Sequence, residues 1–153
     1  MVGYNMFKLT RKTEYALLAL HELSISAEAD VTKVREIAEH NQIPFPVLAK
    51  VMQRLARHNY IEPTQGARGG YQLHEQAMTT NMWQFLEEME GPQGLADCFM
   101  EASCEQLEFC SIRSPLHELD RSIRQFFYGV KLNDVLGRTS KSFGAPFISG
   151  TSL

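Results

Sequence analysis

Cys98, Cys104 and Cys110 are the only cysteines in the 153-residue chain, and five residues separate each from the next. A step of six residues turns a helix by roughly 240°, so the three thiols cannot share a helical face. To act together they must converge through a loop, and an odd number cannot be fully paired within one chain as disulfides. Three thiolates gathered in a loop can hold a metal or an iron-sulfur cluster, whose usual protein ligands are four cysteines, with one position filled from elsewhere. Structural zinc typically uses cysteines two to four residues apart and a full set of four ligands, and neither pattern is present. The plainest alternative is packing as small apolar side chains. A metal-free thiol switch is another, although acidic neighbours raise thiol pKa values and do not activate the thiols.

The charge around these cysteines is uneven in a way the net charge of −3 conceals. Residues 74–110 carry eight Asp and Glu and no Lys or Arg. Residues 1–73 carry nine bases against seven acids, and residues 111–153 six against three. Any anion-binding surface therefore belongs to the first and last segments. With 44% hydrophobic residues the chain can build one domain with a sizeable core plus an oligomerisation arm. No apolar run approaches a membrane span, and Met1 to Leu9 does not read as a signal segment, so a cytoplasmic protein with no membrane partner is expected. No paired acid/base constellation, nucleotide loop or nucleophile motif marks an enzyme.

The elements that must position the cysteines read as mostly α with a small β-hairpin. A first helix is expected over about Thr10 to Ser24, capped by Thr10, with Glu14 in its first turns and apolar residues nearly all round, so that it should be buried between neighbours. Ala27 to Thr32 reads as a loop. Val34, Ile37 and Ala38 mark a short second helix ending near Asn41. Pro44 and Pro46 open a third helix, whose Leu48, Val51, Met52 and Leu55 form one apolar stripe. Its other side shows Lys50, Gln53, Arg54 and Arg57. Tyr60 to Pro63 and Tyr71 to Leu73 are short strands flanking a glycine-rich turn with Arg68 at its tip.

Two short helices, a basic third helix and a basic hairpin make a winged helix-turn-helix. In that arrangement Lys50, Gln53, Arg54 and Arg57 would face the major groove, where Gln reads adenine and Arg or Lys reads guanine. Arg68 would reach a narrow minor groove. A fourth helix is expected over Thr80 to Met89, stopped by Gly91-Pro92. The longest helix should run from Ser114-Pro115 to near Gly137, with a heptad seam of Leu116, Leu119, Ile123, Phe126 and Val130 for a homodimer. The expected organisation is a DNA-binding domain over 1–90, a cysteine loop over 91–112, a dimerisation helix over 113–137 and a mobile tail over 138–153.

With wing and cysteines both in place, the chain resembles the IscR/NsrR family of winged-helix iron-sulfur transcription regulators over roughly residues 6–136. The most specific stretches are Leu9-Thr-Arg-Lys-Thr-Glu-Tyr-Ala16, the wing Gly66-Ala-Arg-Gly-Gly-Tyr71 and the cysteine spacing. The resemblance implies a homodimer on a pseudo-palindromic double-stranded DNA operator, a four-iron or two-iron cluster as cofactor, and an operator affinity that changes when the cluster is gained, lost or modified. IscR-like members carry a histidine ligand three residues beyond the third cysteine, where this chain has Arg113. NsrR-like members, sensors of nitric oxide, use a first-helix carboxylate from the partner subunit, and Glu14 matches it. The resemblance is therefore closest to them and implies Cys98, Cys104, Cys110 and Glu14 as the metal ligands.

Read from the residues alone, Glu14 is a first-turn acid that compensates the helix dipole before it is a ligand, and His117 is a weaker competitor for the fourth position. The eight acids around the cysteines would lower a cluster's reduction potential, which favours cluster modification or loss as the signal. The function expected is a DNA-binding regulator, a repressor before an activator. The alternatives are a cluster-free regulator responding to thiols or a metabolite and, from another class, a small iron-sulfur electron-transfer protein.

Overall fold

The computed structural model describes residues 9–26, 31–99 and 104–137. The expected tail over 138–153 lies outside them, as do most of the loop after the first helix and the middle of the cysteine stretch. The order of elements is α1 (Arg11–Ile25), α2 (Val34–His40), α3 (Phe45–Arg57), β1 (Ile61–Thr64), β2 (Gly70–Leu73), α4 (Glu75–Thr79), α5 (Met82–Glu90), α6 (Arg113–Gly129) and α7 (Leu132–Val135), with one 3-10 turn at Asp97–Phe99.

Thr10 caps α1, its hydroxyl accepting the Thr13 N–H at 3.4 Å. Thr13, Ala16, Ala19, Leu20 and Leu23 face the core. The helix is not enclosed all round as its apolar content predicts. It packs against α3, α5 and β2, and the side bearing Leu18 and Ile25 stays exposed. The turn from α2 to α3 puts Gln42 in the left-handed region at φ 53°, which drops Ile43 into the core. Pro44 and Pro46 then start α3 where a missing N–H costs nothing. The stripe of Leu48, Val51, Met52 and Leu55 is buried as its spacing requires.

β1 and β2 pair antiparallel, from Ile61 opposite Leu73 to Thr64 opposite Gly70. Tyr71 also exchanges backbone hydrogen bonds with Thr32, at 2.9 and 3.1 Å, so the wing is stitched to the segment before α2. A Cβ at position 70 would stand 2.5 Å from the Thr32 carbonyl oxygen, and only glycine permits that approach. Beyond the wing the helix expected over Thr80 to Met89 is α5, capped by Asn81, and a short helix not expected from the sequence, α4, capped by His74, precedes it. Thr80 breaks between them in an extended conformation.

The last helix is also shorter than expected. α6 ends at Gly129, and Val130 is its extended C-cap. The Val130 carbonyl accepts the Met82 N–H at 2.8 Å, and Leu132 N–H returns to Thr80 at 2.9 Å. Leu132 and Leu136 are buried in one core with residues of α1 to α5, and Val130 packs against it. The end of the expected dimerisation helix is thus tied into the DNA-binding half, because the apolar residues beyond Gly129 find their partners there.

Candidate nucleic-acid interface and metal centre

The face of α3 opposite its buried stripe carries Lys50, Gln53 and Arg57, all exposed and separated by three and four residues. No acidic residue lies in α3. Arg68 is exposed at the wing tip, between Gly66 and the close-packed Gly69. Arg54 departs from the expectation for it. It lies to one side of this stripe, and its guanidinium donates to the Glu88 carbonyl oxygen from Nε at 3.0 Å and from NH2 at 2.6 Å. It lies four residues from Lys50 and three from Arg57, on the edge of their face, and its guanidinium reaches across to serve as a tie to α5.

Glu88 completes that tie. Its carboxylate accepts the Tyr60 hydroxyl and the Gln84 side-chain amide, and His58 lies 3.9 Å away. Burial, and then the hydrogen bond to Glu88, push the Tyr60 phenol far above its ordinary pKa, so it remains a neutral donor. Tyr60 also packs edge-on to Phe85, ring centroids 5.3 Å apart. The recognition-helix candidate, the start of the wing and α5 are therefore held as one body.

α5 leads directly into the cysteine segment through Gly91, at φ 95°. Two residues of α6 hold the start of that segment. The Asp120 carboxylate, 6% exposed, accepts the Leu95 N–H at 2.8 Å and the Arg124 Nε–H at 2.5 Å. Arg124 also donates to the Gln93 carbonyl at 2.9 Å and lies over the Trp83 ring, 4.6 Å from its centroid. A buried carboxylate and guanidinium paired in this way leave few charges unsatisfied.

Cys98 sits in the 3-10 turn, and Phe99 beside it meets His117 of α6 edge-on, with centroids 5.6 Å apart. Cys104 and Cys110 flank a run of turns. All three thiols are free and half-buried. Three soft thiol donors fit an iron-sulfur cluster by their chemistry. They are not gathered: among the described residues no group of three or more His, Cys, Asp or Glu stands close enough to hold a metal ion. Glu14 is half-exposed and paired with Arg11 at 2.9 Å. Of the expected seam, Leu119 and Phe126 are exposed and Leu116 and Ile123 half-buried, while Val130 faces its own chain.

Three features were not singled out from the sequence. The Asp120 and Arg124 pair has helical i, i+4 spacing, but such pairs usually lie on a solvated surface. Glu90 accepts hydrogen bonds from Thr10 and Thr13 across the fold, and no local pattern signals that contact. The Arg35 guanidinium lies over Phe45, 5.2 Å from the ring centroid, which joins two helices and is equally silent in the sequence.

A family model described as Rrf2, iron-dependent transcriptional regulator, matches residues 9–138. A putative HTH-type transcriptional regulator of Aquifex aeolicus is 30% identical over 130 residues, covering 83% of this chain and 90% of the relative. The HTH-type transcriptional regulator NsrR of Geobacillus kaustophilus is 29% identical over 131 residues, covering 84% and 89%. Among solved structures, CymR, the global cysteine regulator of B. subtilis, aligns with a TM-score of 0.67 at 19% identity, covering 88% of this chain and 99% of that one. At that identity the likeness is one of winged-helix fold.

Proposed function

We propose, since the chain belongs to the Rrf2 family of transcriptional regulators, that it binds operator DNA as a homodimer and that an iron-sulfur cluster on Cys98, Cys104 and Cys110 sets its affinity. The observation that carries the DNA reading is the acid-free face of α3, with Lys50, Gln53 and Arg57 in line and Arg68 at the wing beside it. Basic side chains on phosphates supply affinity and orientation, while side chains on base edges supply selectivity. Gln53 is the base reader in this scheme and Lys50 and Arg57 approach bases or phosphates.

When bound, the cluster would supply a redox-active and nitric-oxide-reactive centre whose loss or modification is the signal. The chain's own residues give that signal a route. Asp120 and Arg124 fix the start of the cysteine segment on α6, α5 runs from that segment to Glu88, and Glu88 holds Arg54 and Tyr60 at the two ends of the turn from α3 into the wing. A change in the cysteine segment that favours one α5 position over another would shift α3 and the wing together. Glu14 is the proposed fourth ligand, reaching the partner subunit's cluster.

A second reading is a thiol-responsive regulator without a cluster. It draws on the three thiols being free and not gathered in the described residues. Protein purified without oxygen separates the two. The cluster reading expects iron and sulfide in stoichiometric amount, a visible charge-transfer spectrum and an operator affinity that changes on exposure to nitric oxide. Colourless, iron-free protein that binds DNA and responds only to thiol oxidants would establish the second reading.

A further inference from the structure

The Arg35 and Phe45 pair lies outside the set of basic residues assigned above. Phe45 is in the first turn of α3 and 43% exposed, an unusual position for a large apolar side chain on a helix that already has a complete buried stripe. Arg35 comes from α2, is exposed, forms no ion pair with a described residue, and rests over the Phe45 ring at 5.2 Å. The ring and the cation attract each other through the ring's quadrupole, so each restricts the other's rotamers.

In a helix-turn-helix the first helix crosses the phosphate backbone, and the N-terminal residues of the second meet base edges in the major groove. The only apolar group the major groove offers is the C5-methyl of thymine. The acid-free α3 and Arg35, without an ion pair among the described residues, match around Phe45 a polyanion and not an apolar protein partner. Resting on the DNA-binding reading above, we infer that Phe45 selects a thymine by contact with its methyl group, and that Arg35, held over the ring, contacts a phosphate on the same strand edge. Phe45 is then a specificity residue and Arg35 a positioning residue that also carries charge.

The test uses a duplex selected by the full chain from a randomised double-stranded library, with each thymine replaced in turn by uracil. That replacement removes only the methyl and leaves every hydrogen-bonding edge intact. Wild-type protein should lose about fourfold in affinity at one thymine per half-site, the worth of one buried methyl. Phe45→Ala should bind the thymine and uracil duplexes alike. Arg35→Ala should weaken binding to all sequences and reduce the salt slope by about one per subunit. Wild-type protein indifferent to uracil at every position, or a Phe45→Ala variant that keeps the preference, would overturn the inference while leaving operator binding intact. Failure of the wild-type chain to select any duplex would instead overturn the DNA-binding reading beneath it.

Discussion

Glu90 ends α5 with its carboxylate on Thr10, accepting that residue's N–H at 3.2 Å and its hydroxyl at 2.5 Å. The same oxygen accepts the hydroxyl of Thr13, which is fully buried. The cap of α1 is thus held by the last residue before Gly91 turns the chain towards the cysteines. Glu14, one residue from Thr13, shares this anchor with the cysteine segment although the two are far apart in sequence.

The anchor has a pH signature. Burial raises the pKa of Glu90, but the hydrogen bonds from Thr10 and Thr13 and the nearby Lys12 outweigh it and hold the value below the ordinary 4.5. A depressed folded-state pKa gives stabilisation that is present above the unfolded value and lost as pH falls through the folded one. Wild-type melting temperature should therefore fall more steeply than that of Glu90→Gln between about pH 5 and pH 3. Parallel curves in thermal melts would mean that the charge of Glu90 contributes nothing.

Arg54 and its helix neighbours should separate cleanly. Arg54→Ala removes two hydrogen bonds to a backbone carbonyl and should cost about 1–3 kcal/mol of stability. Lys50→Ala and Arg57→Ala touch exposed side chains and should leave stability within about 0.5 kcal/mol of wild type, while each lowers the salt slope of DNA binding by about one. Melting and salt titration of the three variants provide the comparison. A stable Arg54→Ala protein with a lowered salt slope would return Arg54 to the DNA face.

Much of this arrangement was legible in the sequence where the forces are local. The cap at Thr10, the prolines at the start of α3 and the apolar stripe of that helix act within a few residues, so spacing alone locates them. The wing was legible for the same reason, because a glycine-rich stretch between two short strand patterns marks a turn. The short helix α4 was not, since five residues carry too little periodicity to mark one. Its end at Thr80 adjoins the pairing of Asn81 with Lys131 across the fold. Val130 misled: its heptad position is real, but the backbone bond from Met82 draws it to its own chain. In the cysteine region the spacing offered candidate ligands, while the Asp120 and Arg124 clamp on Leu95 and Gln93 depends on tertiary contacts no pattern encodes.

The exposed part of the seam offers a test of assembly that avoids disturbing the fold. Leu119 is 50% exposed and Phe126 37% exposed, and within α6 only Asp120 is buried. Replacing both with serine should leave melting nearly unchanged at low concentration yet yield monomers in sedimentation, with operator affinity reduced at least tenfold as two-site binding is lost. Val130→Ala should do the reverse, costing about 1 kcal/mol of stability with the dimer retained. A double serine variant that sediments as a dimer would place the subunit contact elsewhere.

The remaining prediction concerns the thiols and the carboxylate proposed to complete their site. Any one of Cys98→Ala, Cys104→Ala or Cys110→Ala should abolish cluster retention, because the chain has three cysteines in all and the loss of one leaves two thiolates. Glu14→Ala should be milder. A carboxylate is a hard ligand beside thiolates, so solvent or a small thiol can take its place and the cluster should form but decay faster. Within one chain Glu14 already has a partner in Arg11 at 2.9 Å, an exposed pair of little energetic weight that can be exchanged for a metal bond. Arg11→Ala frees the carboxylate without removing it and should leave cluster lifetime equal to or longer than wild type. Lifetimes followed by absorbance in anaerobic protein, beside iron content and operator titration, therefore separate the two variants, shortened in Glu14→Ala and not shortened in Arg11→Ala. If Glu14→Ala matches wild type in lifetime and in operator affinity, Glu14 is an ordinary first-turn acid. The fourth position then belongs to another group, with His117, in contact with Phe99 beside Cys98, the next to replace.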